Sequence, residues 1–243
     1  MDYTQETGVF FDLDDTLYDH LTPLRDTLQH ILGLGHDFPY DQAYQRFRYY
    51  SDMLSAQQTN PFAANNKDAQ VYIRTKRYVL MLQEFDIEIT LEQGHLLQED
   101  YMGRQYDISL FEGAEDVIRQ LQQQGRMVGI LTNGAEEHQR KKIQALALDK
   151  LIPAEQIFIT GAVGWDKPNV RIFEHINQQT HVLAKNSYYV GDSWRNDVIG
   201  ALGAGWHVLW FNHRQAEPES HHTPQYVVRQ YEEIARILLT PKS

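Results

Sequence analysis

Short apolar, β-prone runs alternate with stretches of helical periodicity, and this alternation restricts the chain to an α/β architecture. Val9–Phe11, Met127–Leu131, Gln156–Thr160, Tyr188–Val190, His207–Phe211 and Tyr226–Val228 read as buried strands. Between them, Glu115–Gln124, Ala135–Leu148, Asn169–Asn177 and Asn196–Leu202 read as helices, and Tyr231–Leu239 follows as another. In the first of these, Val117, Ile118 and Leu121 share a face, and Gly125 supplies the stop. Asn169–Asn177 opens just after Pro168, where a proline is well tolerated. Such alternation predicts a parallel sheet with helices on both faces, a three-layer, doubly wound, Rossmann-like core. Sheets of this kind bind ligands at the carboxyl ends of their strands.

The stretch from His20 to Gln105 breaks the pattern. It has few β-prone runs and many helix formers. It also holds Arg46, Arg48, Arg74, Lys76, Arg77 and seven of the 14 tyrosines. We read it as a helical insertion after the first strand, with Asn60–Pro61 and Asn65–Asn66 marking a loop inside it. The expected division is residues 1–19 plus 106–243 for the α/β core and 20–105 for the insertion. Within the insertion, Tyr44–Tyr50 mixes cations with aromatics that could stack on a ring. Aromatic stripes at helical spacing are more often core, so a packed face with solvated arginines is expected.

Of the 243 residues, 42% are apolar and 23% charged, enough apolar material for a core of ordinary globular type. The net charge of −11 repels nucleic-acid phosphates, which argues against a nucleic-acid partner. Small phosphorylated substrates stay open, because one cation can reverse the field inside a cleft. The absence of cysteine excludes disulfides and thiol catalysis and fits a cytoplasmic setting. No apolar run reaches the length of a membrane-spanning helix, and Met1–Thr7 lacks the basic and apolar regions of a secretory signal. The 11 histidines show no metal-ligand spacing, and His221–His222 falls in the polar loop Gln215–Pro224.

Polar clusters follow three of the strands. Asp12-Leu13-Asp14-Asp15-Thr16 comes directly after Val9–Phe11 and packs three carboxylates into four positions. Such crowding is costly without a compensating cation. Asp12 and Asp14 are two apart and point to the same side of an extended chain. A hard cation with oxygen ligands, Mg²⁺, is the natural occupant. Leu131-Thr132-Asn133-Gly134 ends a strand with a hydroxyl and an amide that can present donors to an anion, although such a tetrapeptide by itself marks only a turn. Lys167-Pro168 puts a cation ahead of a helix, where it can neutralise the aspartates and hold a phosphate. Gly191-Asp192-Ser193-Trp194-Arg195-Asn196-Asp197 follows Tyr188–Val190. There Asp192 can complete a metal site begun by Asp12, while Ser193 or Asn196 can cap a helix.

The ordered set D-x-D-x-T, T-N, K-P and G-D-S-x-x-N-D resembles the four signature segments of the haloacid dehalogenase superfamily, and with the insertion it spans essentially the whole chain. The resemblance implies that Asp12 is the nucleophile that takes the phosphoryl group as an aspartyl-phosphate. It implies that Asp14 protonates the leaving oxygen and then deprotonates the hydrolytic water. Thr132 and the backbone N–H of Asn133 would hold phosphoryl oxygens, and Lys167 would bridge Asp12 and the phosphoryl group. Mg²⁺ would sit on Asp12, Asp192 and the Asp14 backbone carbonyl, with Asp197 supporting the cluster indirectly. Asp12 must then be ionised when Asp14 is protonated, so Asp14, carrying its carboxyl off the metal, is expected to hold the higher pKa. The insertion resembles the helical cap of this superfamily, which selects the leaving group.

The expected activity is Mg²⁺-dependent hydrolysis of a small phosphorylated metabolite, a phosphate monoester, with a nucleoside 5′-monophosphate as preferred substrate. Two other readings stand beside it. One is a non-catalytic binding or regulatory protein on the same fold. The other is a 2-haloacid dehalogenase, which Asp14 disfavours, because halide leaves unprotonated whereas an alkoxide needs a proton. Two departures from the family pattern are present: Asn169-Val170 follows Lys167-Pro168 where Asp-Pro is common, and Asp15 stands where sugar-phosphate mutases of the family have glycine.

Overall fold

A computed structural model of the chain describes residues 7–56 and 67–240. The turn signals at Asn60–Pro61 and Asn65–Asn66, and the N-terminal stretch before Thr7, lie outside the described residues. The chain divides into two compact units, Met1–Asp19 with Ile108–Ser243, and His20–Asp107.

The first unit is built on a parallel sheet of β1 (Gly8–Phe11), β2 (Met127–Thr132), β3 (Ile157–Ile159), β4 (Ser187–Gly191), β5 (His207–Phe211) and β6 (Tyr226–Val228), in the order β3-β2-β1-β4-β5-β6. Register pairs Val9 with Val128 on one side and with Tyr188 on the other. Alternation along each strand feeds two separate cores. Val9, Phe11, Val128, Ile130, Tyr188, Val190, Leu209 and Phe211 face one way. They pack with Val117, Ile118 and Leu121 of α5 (Ala114–Gln123), Ile143 of α6 (Glu136–Ala145) and Tyr231, Ile234 and Leu238 of α10 (Tyr231–Leu239). Phe10, Leu131, Tyr189, Val208 and Trp210 face the other way. They meet Ile172, Phe173 and Ile176 of α8 (Val170–Thr180) and Ala201 of α9 (Ile199–Gly203). Burial on both faces explains why the strands are near-continuous apolar runs. The three-layer, doubly wound fold read from the sequence is therefore present.

Three boundaries shift for local reasons. β3 stops at Ile159 because Thr160 opens the single turn α7 (Thr160–Val163), which is fastened to the loop after β2: Gly134 N donates to Thr160 Oγ1 at 3.2 Å and Gly161 N to Gly134 O at 3.1 Å. Asn169 is the cap of α8 and not its first residue, its side chain accepting from Arg171 N at 3.1 Å. The family departure at this position is thus absorbed as a normal N-cap. The helix expected from Asn196 begins earlier, as a wide turn over Trp194–Val198 in which Val198 N donates to Ser193 O at 3.2 Å.

The second unit contains α1 (Thr22–Leu32), α2 (Tyr40–Ala56), α3 (Lys67–Gln83) and α4 (Leu91–Arg104). Tyr44 and Phe47 are buried in its core beside Tyr78, Met81 and Leu97, whereas Tyr49 is exposed. Arg77 lies over the Phe47 ring at 4.0 Å and donates to Gln98 Oε1 at 2.7 Å, and Arg46 pairs with Glu84. Tyr44 and Phe47 of the aromatic stripe are core, as their helical spacing indicated. Among the described residues no helix is long and apolar enough to cross a membrane.

Candidate active site

The strand order reverses direction between β1 and β4, the place where sheets of this class open a crevice at their carboxyl ends. Asp12 follows β1 there, and its N–H donates to Val190 O at 2.9 Å, extending the ladder by one residue. Asp192 follows β4, and the turn after it brings Asp197 back. Carboxylate oxygens of Asp12, Asp192 and Asp197 lie within 4.8 Å of one another.

Lys167 enters this group fully buried. Its Nζ donates to Asp12 Oδ1 and Asp197 Oδ1, both at 2.7 Å, and to Tyr189 OH at 2.8 Å. Tyr189 in turn donates to Leu131 O at 2.7 Å, and burial holds its phenol well above the ordinary range, so it stays neutral. Asn133 sets the Lys167 backbone from both sides: its Nδ2 donates to Lys167 O at 3.0 Å and its Oδ1 accepts from Lys167 N at 2.9 Å. The side chain of Asn133 is thus a strap for the lysine loop, a role separate from its backbone N–H.

The charges do not balance. Burial pushes the Asp12 carboxyl up to about 7 from 3.8; Lys167 opposes this, while Asp197 and Asp14 add to it. The lysine is itself held protonated, above its usual range, by Asp12 and Asp197 against its own burial. One lysine faces three carboxylates, so the donor set carries an excess of negative charge that a further cation would offset. All-oxygen donors suit a hard divalent ion. Asp12, Asp192 and Asp197 each present a carboxylate oxygen to such an ion, and Asp197 also spends Oδ1 on Lys167 and Oδ2 on Ser193 N–H at 2.9 Å.

Asp14 is placed apart from that group. Lys142 Nζ donates to Asp14 Oδ1 and Oδ2 at 2.8 and 2.9 Å, Tyr18 OH to Oδ1 at 2.5 Å and Gln139 Nε2 to Oδ2 at 3.1 Å. Gln139 Nε2 also reaches Thr132 Oγ1 at 2.6 Å and Asn133 O at 3.0 Å. Thr132, at the end of β2, is buried. Asp15 takes a left-handed φ of 59° and meets Arg214 Nη2 at 2.8 Å; the same guanidinium holds Asp19.

Of the residues named from the sequence, the structure brings together Asp12, Asp192, Asp197 and Lys167 and sets Thr132 and Asn133 beside Asp14 through Gln139. The sequence reading missed Lys142, Gln139, Tyr18, Tyr189 and Arg214. Ser193 does cap the turn after β4, accepting from Asn196 N at 3.3 Å, so the capping reading of that segment holds.

Gly191 is required by the approach of Asp197. A Cβ on residue 191 would lie 2.4 Å from Asp197 Oδ2 and 2.5 Å from its Cγ. Gly191→Ala should push Asp197 off Lys167 and destabilise the protein by about 2 kcal/mol, an overpacking cost. Urea denaturation checks this, and wild-type stability in the variant would mean that Asp197 can move without penalty.

The sequence profile described as haloacid dehalogenase-like hydrolase matches residues 9–211. The chain is 24% identical to the glyceraldehyde 3-phosphate phosphatase of Methanothermobacter thermautotrophicus, over 88% of this chain and 89% of that one. It is 26% identical to the pyrimidine 5′-nucleotidase YjjG of Escherichia coli, over 95% and 96%. Among solved structures, the HAD-hydrolase YfnB of Bacillus subtilis, determined with bound magnesium, overlays with a TM-score of 0.70 at 23% identity, covering 98% of this chain and 100% of that one. With its sheet order, its carboxylate–lysine cluster and a family match over most of its length, this chain belongs to the haloacid dehalogenase-like hydrolases.

Proposed function

We propose that the chain is a Mg²⁺-dependent phosphatase that hydrolyses small-molecule phosphate monoesters through an aspartyl-phosphate on Asp12. The observation that carries this reading is the pair of separately held carboxylates: Asp12 against Lys167 beside Asp192, and Asp14 against Lys142. A displacement at phosphorus through a covalent intermediate needs one carboxylate as nucleophile and another as acid and base. Asp12 and Asp192 would hold Mg²⁺, which would supply positive charge to neutralise phosphoryl oxygens.

The side chains divide the labour as follows. An Asp12 oxygen attacks phosphorus while Asp14 gives its proton to the departing ester oxygen. Lys167 steadies Asp12 and the transferring group; Thr132 and the Asn133 N–H bind its oxygens. Asp14 then takes a proton from the water that attacks phosphorus, and the bond to Asp12 breaks. Asp197 keeps Lys167 in register. The insertion His20–Asp107 is assigned the choice of leaving group. A nucleoside 5′-monophosphate is the finer reading, supported by similarity to the E. coli nucleotidase. A triose phosphate is the rival that the archaeal relative raises.

The test is turnover of 4-nitrophenyl phosphate by purified protein with Mg²⁺ and with EDTA, followed by a panel containing nucleoside monophosphates and triose phosphates. Metal-dependent turnover with the highest kcat/KM on a nucleoside monophosphate is expected. Absence of turnover with any ester and any divalent metal would overturn the phosphatase reading, and a preference for triose phosphates would overturn the finer one.

A further inference from the structure

The buried face of α6 carries a feature that the roles above leave unexplained. Gln139, Lys142, Ile143 and Leu146 are spaced i, i+3, i+4, i+7 and all are buried, so two polar side chains share the face that packs on the sheet. Their neighbours Arg140 and Lys141 behave as surface residues, pairing with Glu136 and Glu137 one turn back. Burying an ammonium strips it of its hydration, and a buried ion pair is weak evidence for a stability role. The location of the partner is what distinguishes Lys142: its Nζ grips both oxygens of Asp14. Lys167, by contrast, serves Asp12 and Asp197. Each carboxylate of the proposed mechanism thus has a lysine of its own.

We propose that Lys142, seconded by Gln139, is the positioning residue that aims the Asp14 carboxyl at the leaving oxygen; this rests on the phosphatase reading of the site. The contacts seen are those of the ionised carboxylate, the form Asp14 has once its proton is delivered, and they fix the carboxyl plane: Lys142 spans the two oxygens, Tyr18 holds Oδ1, and Gln139 holds Oδ2 while reaching Thr132 and the Asn133 carbonyl. Through Gln139 the acid is tied to the strand end assigned to phosphate binding. In the step served, the ester P–O bond breaks and its electron pair goes to the leaving oxygen. That oxygen takes the Asp14 proton, the O–H pair stays on the Asp14 carboxylate, and an Asp12 oxygen forms the new P–O bond. Proton delivery of this kind falls off steeply with misalignment.

The experiment is a series of aryl phosphates whose phenols grow less acidic, from 4-nitrophenyl through phenyl to 4-methoxyphenyl phosphate, with Mg²⁺ present. Wild type, Lys142→Met, Lys142→Arg, Asp14→Asn and Asp12→Asn are compared by kcat/KM, which reports the step that expels the phenol. Poor leaving groups depend on the proton; nitrophenolate depends on it far less. Lys142→Met should lose about fivefold with 4-nitrophenyl phosphate and about two-hundredfold with 4-methoxyphenyl phosphate, approaching the pattern of Asp14→Asn. Lys142→Arg should restore most of the lost steepness. The ratio across substrates within one preparation is independent of the folded fraction, so partial misfolding cannot imitate the result. A loss equal for all esters, or none, overturns the proposal while the phosphatase reading stands. If wild type hydrolyses no ester, or Asp12→Asn retains turnover, that reading falls and takes this proposal with it.

Discussion

Asp12→Asn should fold, lose at least about 10⁴-fold in kcat on any phosphate ester, and melt higher than the wild type when both are metal-free at pH 8. The first effect follows from removing the oxygen that forms the covalent bond. The second follows from the electrostatics of the cluster. The folded-state value of Asp12, about 7, lies above the 3.8 of an unperturbed side chain. The folded protein therefore binds an extra proton between these values. The stabilising contribution of that proton is complete below the unfolded value and is lost as the pH rises through about 7. At pH 8 the metal-free wild type keeps a buried carboxylate that Lys167 only partly neutralises, and asparagine removes it. A gain of about 5 °C is expected at pH 8, shrinking towards pH 5, where the wild-type carboxyl is already protonated. Mg²⁺ should reverse the order at pH 8 by binding the wild type more tightly. Thermal melts with EDTA and with Mg²⁺ at the two pH values decide it. A metal-free variant that melts below the wild type at pH 8 would show that Lys167 suffices for Asp12, and the argument for a second cation would fail.

How much of this was legible beforehand depends on what kind of pattern each residue belongs to. The strands were readable because both faces are buried, so Val9–Phe11 or Val208–Phe211 carry apolar residues without interruption. Asp12 and Asp192 were readable because they sit at strand ends, where a three-layer sheet puts its crevice, and Asp197 was readable through the family motif that contains it. Lys142 and Gln139 were hidden by type: lysine and glutamine are usually solvated, so a helix with a basic middle reads as a surface helix. The periodicity held the clue nonetheless, since Gln139 and Lys142 fall on the same face as Ile143 and Leu146. A polar residue at a core position of an otherwise amphipathic helix needs a buried partner, and here the partner is 128 positions away in Asp14. Arg214 and Asp15 are farther apart still, at 199 positions, and no local spacing points from one to the other. Tyr189 was assigned to the sheet correctly, but its hydroxyl contact with Lys167 depends on which way the strand alternates against β1, which is a matter of register. The insertion gave up its helices and its aromatic core through composition, while its substrate preference left no comparable trace.

Lys167→Met should be among the most destabilising single changes in the chain as well as inactivating. The lysine makes four contacts from one ammonium: the two carboxylates, the Tyr189 hydroxyl and, at 3.4 Å, the Leu131 carbonyl. Methionine matches its length but offers no donor. Asp12 and Asp197, both buried, would then face each other without a cation, and Tyr189 would lose the donor that its oxygen accepts. Breaking a buried pair from one side costs about 3–5 kcal/mol, because the remaining charge is left in a medium that cannot solvate it. For a protein of this length that is a fall of roughly 10 °C in the melting temperature. The loss should be smaller at pH 5 than at pH 8, since a proton on Asp12 replaces the missing cation, and Mg²⁺ should recover part of it for the same reason. Adding Asp197→Asn should also recover part, giving a double variant more stable than the sum of the single changes. Such rescue would identify charge, rather than packing volume, as the cause. If Lys167→Met alone melts within a degree or two of the wild type at pH 8, water must already solvate the cluster, and the tight electrostatic coupling of nucleophile, lysine and Asp197 on which the site rests would be absent.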